Sequence, residues 1–471
     1  MCFPNRTGSG RYRGRVSDAP VTLDPAALPA LPDPSTPPAR QRLAWLDALR
    51  GFAALCVVFD HLGAYAMPHL RGDIYRFLDP GTYGVFVFFL VSGYIVPASL
   101  ERKGSVRGFW VSRVFRLYPL YAVALVAMVL LWWFNIGTIS GANYQGKTSL
   151  LTHALMLSSV LGAHNAINVI WTLTYEMAFY LLLTALFLTG THRRSGRWAL
   201  LFAAAAVGLG GLLPMFAISR SFLGTRLVPE LADLLVLAGI ALAVTRFRVP
   251  RTAGAILAGG TVIVLVLFNG NWVPPYEALT ILALMFTGTM LYRAERGDYP
   301  WRRAVPAAIA VLALATAAGL WHGFGWGANY RWQWATSVLG AGLTFAIGMA
   351  CRKKPVPAVL AWLGVVSFSV YLVHPVLLQF YKKVPFTHGS HPFPVQVLMA
   401  AVFLAVLLAC SWLSFRFVEK PMQQHGRAFS RWLDTWFGPD PVPGARPAAL
   451  EPALTHEVIG PPEPVPEAAA Q

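Results

Sequence analysis

From Ala44 onward the chain alternates long apolar runs with short polar and basic breaks. A helix needs about 17–25 apolar residues to cross a hydrocarbon core roughly 30 Å thick. Runs near 44–65, 81–100, 114–134, 167–189, 198–218, 227–245, 252–268, 276–292, 303–320, 333–350, 358–380 and 395–417 have about that length. They predict an all-α, polytopic transmembrane helix bundle of about 12 spans, because a helix satisfies its own backbone in lipid. The stretch 149–164 (SLLTHALMLSSVLGAH) is also apolar, but a full crossing there would upset the alternation of basic loops, so it reads as a re-entrant or extracytoplasmic segment. Residues 1–40 and 423–471 are rich in Pro and Ala and lack apolar periodicity, which predicts largely disordered tails around a membrane domain spanning 41–422. No apolar core of a signal peptide precedes Leu43, so the first span is expected to stay as an anchor.

Composition removes the soluble alternative: 56% of 471 residues are hydrophobic and 13% are charged. The net charge of +17 could suggest nucleic acid, but the 38 Lys and Arg follow the membrane topology. Thirty fall on one side of the predicted spans and eight on the other. The positive-inside rule then places both termini in the cytoplasm of a multi-pass plasma-membrane protein, with the bilayer and no nucleic acid as partner. Cys2, Cys56, Cys351 and Cys410 are scattered without a CxxC pair or a histidine at ligand spacing, so neither disulfide nor metal is expected. No Gly-rich phosphate loop or GxSxG elbow occurs.

Ionisable residues inside the spans carry the chemical signal, since each costs at least roughly 2.5–3.5 kcal/mol at the bilayer centre. In LDALRGFAALCVVFDHL, Arg50 and His61 are eleven residues apart, about 20° on the helical wheel and roughly 16 Å along the axis. Asp47 sits three residues before Arg50, at ion-pair spacing, whereas Asp60 points elsewhere. The bland reading is an interfacial Asp47–Arg50 pair and a His61 bonded to a carbonyl; three such groups on one stripe favour a site. Arg113 and Arg116 in FWVSRVFRLYP are i,i+3 neighbours, suited to gripping phosphate, although snorkelling arginines would look similar. Glu176 lies in the apolar IWTLTYEMAFYLLL beside Trp171 and Tyr180, where a carboxylate must find a donor or be protonated. Ser92-Gly93-Tyr94 fits close helix packing, and Ser367, Tyr371 and His374 share one helix face, either a polar seam or a site wall. Glu419, beside Arg416 and Lys420, is expected in an interfacial ion pair.

The ordered segments LDALRGFAALCVVFDHL, VFFLVSGYIV, FWVSRVFRLYPLY, WTLTYEMAFYLLL, SFSVYLVHPV and VEKP resemble the membrane O-acyltransferases of acyltransferase family 3. Two motifs of that family match: an Arg followed by ten residues and a His, here Arg50 and His61, and Arg-x-x-Arg, here Arg113 and Arg116. The region 293–350 departs from the pattern by two spans, so a ten-helix core plus an extra pair is one arrangement of the twelve. The resemblance implies transfer of an acyl group, such as acetyl, from cytosolic acyl-CoA to a hydroxyl of a carbohydrate, a lipid-linked glycan or a glycosylated metabolite. Acyl-CoA is then a co-substrate, with no bound cofactor or metal. His61, Asp47 and Glu176 become the catalytic candidates, and Arg50, Arg113 and Arg116 the donor-binding ones. Ser92, Tyr94, Trp171, Tyr371 and His374 are candidates to line the acceptor side or a pore. The competing reading is a proton-coupled transporter of a small polar solute, with His61, Asp47, Glu176 and His374 as the relay.

Overall fold

A computed structural model describes residues 39–138, 151–161, 163, 165–220, 227–245, 247–270, 273–323, 327, 329–383, 391–438 and 440. The expected tails 1–38 and 441–471 lie outside these residues. The described residues are helical, joined by turns, with no strand among them. Seven helices are long and apolar enough to cross a membrane, or eight if a bent pair is one span, so the protein is a multi-pass membrane protein. Several expected spans fall short for physical reasons. The helix Ser195–Gly208 has 14 residues, about 21 Å at 1.5 Å per residue. Leu227–Ala243 is also short and carries Glu230 and Asp233.

The site is built on five elements. Helix α1 (Ala39–Ala66) packs against α2 (Pro80–Lys103), which is followed by α3 (Val106–Trp133). Local chemistry fixes the turn between α2 and α3. Gly104 takes the left-handed conformation (φ 60°) that ends α2, and the Ser105 hydroxyl accepts from the Gly108 N–H to start α3. The fourth element, α4 (Trp171–Leu188), is apolar around nearly its whole circumference and is correspondingly buried. The fifth, α5 (Ser367–Tyr381), packs against both α1 and α3.

Close contacts hold this framework. A Cβ placed on Gly93 in α2 would lie 1.9 Å from the Met285 carbonyl oxygen, and one on Gly288 would lie 2.2 Å from that of Leu90. The glycines therefore let α2 and the buried helix Pro275–Glu295 touch backbone to backbone, and Thr289 Oγ1 donates to the Gly93 carbonyl at 2.9 Å. The expected span 358–380 is broken: Ala358–Val365 and α5 meet at 65°. At the break Ser367 Oγ donates back to the Gly364 carbonyl at 2.8 Å, and Gly364 lies so close to α1 that a Cβ there would be 2.0 Å from the Asp47 carbonyl oxygen. The pair Trp301–His322 and Tyr330–Ala350, where the resemblance departs from pattern, is integral to the core. Tyr330–Ala350 packs on α1 and α2 and buries Trp334 and Phe345 among them.

The described residues of 151–170 form a last helical turn, bends and 3-10 turns, with no crossing helix among them. Tyr121 Oη donates to the His153 carbonyl and Asn269 Nδ2 to the Val160 carbonyl, tying them to α3 and to the end of Arg248–Phe268. At the other end of the chain, Lys420–Phe437 is an amphipathic helix packed on α3, where the sequence suggested a mostly disordered tail. Arg251 and Asp440 form a buried ion pair at 2.5 Å beyond it. Arg251 Nη2, the Arg107 N–H and Ser105 Oγ all donate to Asp440, which ties down the end of this helix.

Candidate active site

Arg50 of α1, the middle of α2, and the starts of α3, α4 and α5 converge on one cavity with about 700 Å³ of empty space, its open mouth included. Arg50, Arg113, Arg116 and Glu176 line it, with Ser92, Thr172 and Tyr371 as hydroxyl groups and Phe88, Phe89 and Phe368 among the apolar walls. Among the described lining residues, three guanidiniums face one carboxylate. Sequence spacing had put Arg113 and Arg116 on one face; the fold adds Arg50 from another helix.

Arg113 is 5% exposed, and its Nε has no hydrogen-bond partner. Its guanidinium lies 5.2 Å from the Phe109 ring centroid and 5.4 Å from that of Tyr180, so it sits over aromatic rings with donor capacity left over. Glu176 accepts from Ser92 Oγ at 3.2 Å and from the hydroxyl of Tyr180, one turn further along α4. Hydroxyl donors thus meet the requirement that burial imposes on its carboxylate. Asp47 Oδ1 is 4.0 Å from Arg50 Nη1. Asp47 is therefore placed behind an arginine and not beside His61, about 21 Å further along α1.

His61 and His374 form a second cluster. Nδ1 of His61 is 2.9 Å from Nε2 of His374, with the rings nearly parallel at 16°. His374 is fully buried, and its Nδ1 is 3.0 Å from the Val370 carbonyl oxygen. Tyr371 connects the two clusters. Its ring contacts that of His374 at 5.9 Å between centroids and Phe88 at 5.8 Å, and its hydroxyl lies 2.7 Å from Thr172 Oγ1 and donates to the Val169 carbonyl at 2.8 Å. Arg50, Arg113, Arg116, Glu176, Ser92 and Tyr371 therefore share one cavity, and His61 and His374 lie one side chain beyond it.

Besides His374, two expected lining residues are outside the cavity lining. Tyr94 is buried in the apolar core against Trp45, Tyr292 and Phe345, because the side of α2 that carries it faces α1 and its neighbours. Trp171 packs edge-on against Tyr175 at the start of α4, away from the cavity lining. Glu419 is also repositioned: it is 3% exposed in a π-helical turn, Phe415–Glu419, and accepts from Ser369 Oγ instead of pairing with Arg416 or Lys420. There it feels the positive charge of Arg116 and Arg50.

Sequence reasoning missed Thr172 and the partners of Asp60. Asp60 is held by Arg71, whose Nε donates to Asp60 Oδ1 at 3.0 Å, and by the Tyr75 hydroxyl at 2.6 Å. These residues fold Pro68–Tyr75 back onto α1 just beside His61. The available signal was Arg71 itself, an arginine on the sparsely charged side of the bundle. Among the described residues no group of three His, Cys, Asp or Glu side chains could hold a metal.

The family model described as Acyltransferase domain, that of acyltransferase family 3, matches residues 43–415, and the chain belongs to this family. It is 24% identical to the peptidoglycan O-acetyltransferase OatA of Listeria monocytogenes over 82% of this chain and 57% of that one. It is 32% identical to Nodulation protein 10 of Rhizobium leguminosarum bv. viciae, over 37% of this chain and 52% of the relative. It is also 32% identical to the acyltransferase MdmB of Streptomyces mycarofaciens, over 31% of this chain and 39% of the relative. The chain thus spans about half the length of these curated relatives or less. No solved structure matches it.

Proposed function

We propose that this protein is a membrane O-acyltransferase that moves a short acyl group from acyl-CoA to a hydroxyl of a carbohydrate, a lipid-linked glycan or a glycosylated metabolite. One observation carries the reading: three guanidiniums from α1 and α3 converge on a cavity with phenylalanine walls, and one of them, Arg113, is buried with an unpartnered N–H. Such a site suits a donor that is polyanionic at one end and apolar along its acyl-bearing arm. Arg50, Arg113 and Arg116 hold the phosphates, and Glu176 offsets part of their charge while orienting Ser92 and Tyr180. The arm lies along Phe88 and Phe89 toward Tyr371, and the thioester reaches His61, which takes the proton of the attacking hydroxyl. The relatives, a peptidoglycan O-acetyltransferase among them, favour acetyl and a glycan acceptor.

The distribution of Lys and Arg favours cytoplasmic termini, an orientation in which the arginine cavity would open toward cytosolic acyl-CoA. Transport gains no support from the geometry: of the four groups of the suggested relay, only His61 and His374 are in contact, while Asp47 and Glu176 serve the arginine cavity. The test is thiol release from acetyl-CoA by purified protein in vesicles, supplied with a panel of glycan and glycoside alcohols. Acceptor-dependent release of coenzyme A with acetylation of the acceptor is the expected result. Donor turnover that stays at the protein-free background with every acyl-CoA overturns the reading.

A further inference from the structure

The hydrogen bonds around His374 determine which nitrogen of His61 is free. A backbone carbonyl can only accept, so Nδ1 of His374, 3.0 Å from the Val370 carbonyl oxygen, must carry a proton and donate it. In the neutral imidazole the other nitrogen, Nε2, is then an acceptor. It lies 2.9 Å from Nδ1 of His61, which must therefore be the donor in that bond. The unprotonated nitrogen of His61 is consequently Nε2, on the far edge of the ring from His374.

Resting on the acyl-transfer reading above, we propose that His374 is a positioning residue: it fixes His61 in the Nδ1–H tautomer and so presents Nε2 as the base. The proton balance follows. Nε2 accepts the hydroxyl proton as the oxygen forms its bond to the thioester carbonyl carbon. The carbon–sulfur bond then breaks, and the same proton passes to the departing coenzyme A thiolate. Throughout, Nδ1–H of His61 stays bonded to Nε2 of His374, which the Val370 bond holds as the acceptor. A second imidazole here plays the orienting part that a carboxylate plays in a Ser-His-Asp triad, and it does so without placing a negative charge in a fully buried position. The Tyr371 ring, packed against His374 and standing in the wall of the arginine cavity, keeps the pair in register with the donor.

The experiment has two arms. Nitrogen-15 spectra of histidine-labelled protein in lipid, with His61 assigned by its loss in His61→Gln, read the tautomer directly and need no turnover. The expected result is Nδ1–H with a bare Nε2 in the wild type, and a mixture of tautomers in His374→Leu. A wild-type His61 that carries its proton on Nε2 overturns the proposal whatever the protein acylates. In the second arm, thiol release is measured for His374→Leu and His374→Gln. Outer residues that orient a functional histidine typically contribute about 10–100-fold, so His374→Leu should lower kcat by that factor with the KM for acetyl-CoA nearly unchanged. His374→Gln, whose amide oxygen can still accept from Nδ1–H, should recover much of the loss. Wild-type kcat in His374→Leu, or equal losses in both variants, refutes the positioning role. Absence of turnover in the wild type, by contrast, bears on the acyl-transfer reading and leaves the tautomer measurement to decide this one.

Discussion

Replacing Arg113 by Lys separates a phosphate clamp from a topology marker. Both roles need a positive charge, but only the clamp needs the planar fork of donors. Arg113 is 5% exposed with Nε unpartnered, so an anion entering the cavity would satisfy an N–H that the protein leaves unbonded. A hydrogen bond to a charged group contributes about 1.5–3 kcal/mol, which is roughly 10- to 150-fold in an equilibrium or specificity constant. Arg116 is less buried and more hydrated, so its Lys variant belongs near the lower end, about tenfold. The stacking of Arg113 on Phe109 and Tyr180, about 0.5–1 kcal/mol for such contacts, weakens in the same variant but affects stability more than donor use. The assay is kcat/KM for acetyl-CoA by thiol release, together with inhibition by free coenzyme A, which presents the same phosphates without the acyl group. Both should weaken in parallel while insertion and yield stay constant. If both Lys variants keep donor kinetics and coenzyme A inhibition within about twofold of wild type, these arginines grip no phosphate and the donor assignment fails.

Three further outcomes test separate parts of the structure. His61→Ala should lower acyl transfer by about 10²–10⁴-fold with the protein still inserted, the range typical of a lost general base, and near-normal turnover would remove His61 from the chemistry. Reporters fused after Arg194 or Lys354 should be cytoplasmic and those near Asn271 or Gly389 extracytoplasmic; a reversed signal at any of these sites breaks the proposed span order. Gly93→Ala forces a Cβ against the Met285 carbonyl, a backbone contact that cannot yield, and should destabilise the protein by about 1–3 kcal/mol in thermal unfolding in detergent; an unchanged midpoint would show that α2 and Pro275–Glu295 can separate.

The helical rods were legible because apolar run length is a one-dimensional signal that survives without tertiary information. Arg50, Arg113, Arg116 and Glu176 were legible for the same reason, since an ionisable group in an apolar run costs enough to mark itself. What the sequence did not carry was which face of each helix meets a neighbour. Ser92 and Tyr94, two residues and so about 200° apart on α2, point to opposite sides, and only the packing of α2 against its neighbours decides that Ser92 enters the cavity and Tyr94 the apolar core. Glu419 misled for a related reason: adjacent Arg416 and Lys420 suggest a surface pair, but the π-helical turn rotates its carboxylate inward to Ser369. The break in the span 358–380 was invisible because Ser367 is an ordinary helix residue until its hydroxyl reaches the Gly364 carbonyl.

The helical period relates Arg50 and His61, which ten intervening residues separate on α1. Eleven steps return the side chain to nearly the same face but move it roughly 16 Å along α1. A single rigid helix can therefore set the distance from Arg50, in the proposed donor clamp, to His61, the proposed base, provided that neither end frays. Both ends are braced from outside α1. Gly364 brings Ala358–Val365 onto the backbone of Asp47 near Arg50, and Arg71 with Tyr75 fixes Asp60 next to His61. The same broken segment continues into α5, which carries Tyr371 to the cavity and His374 to the His61 ring. The 65° bend is what allows one chain segment to brace the arginine end of α1 and also supply the partner of its histidine.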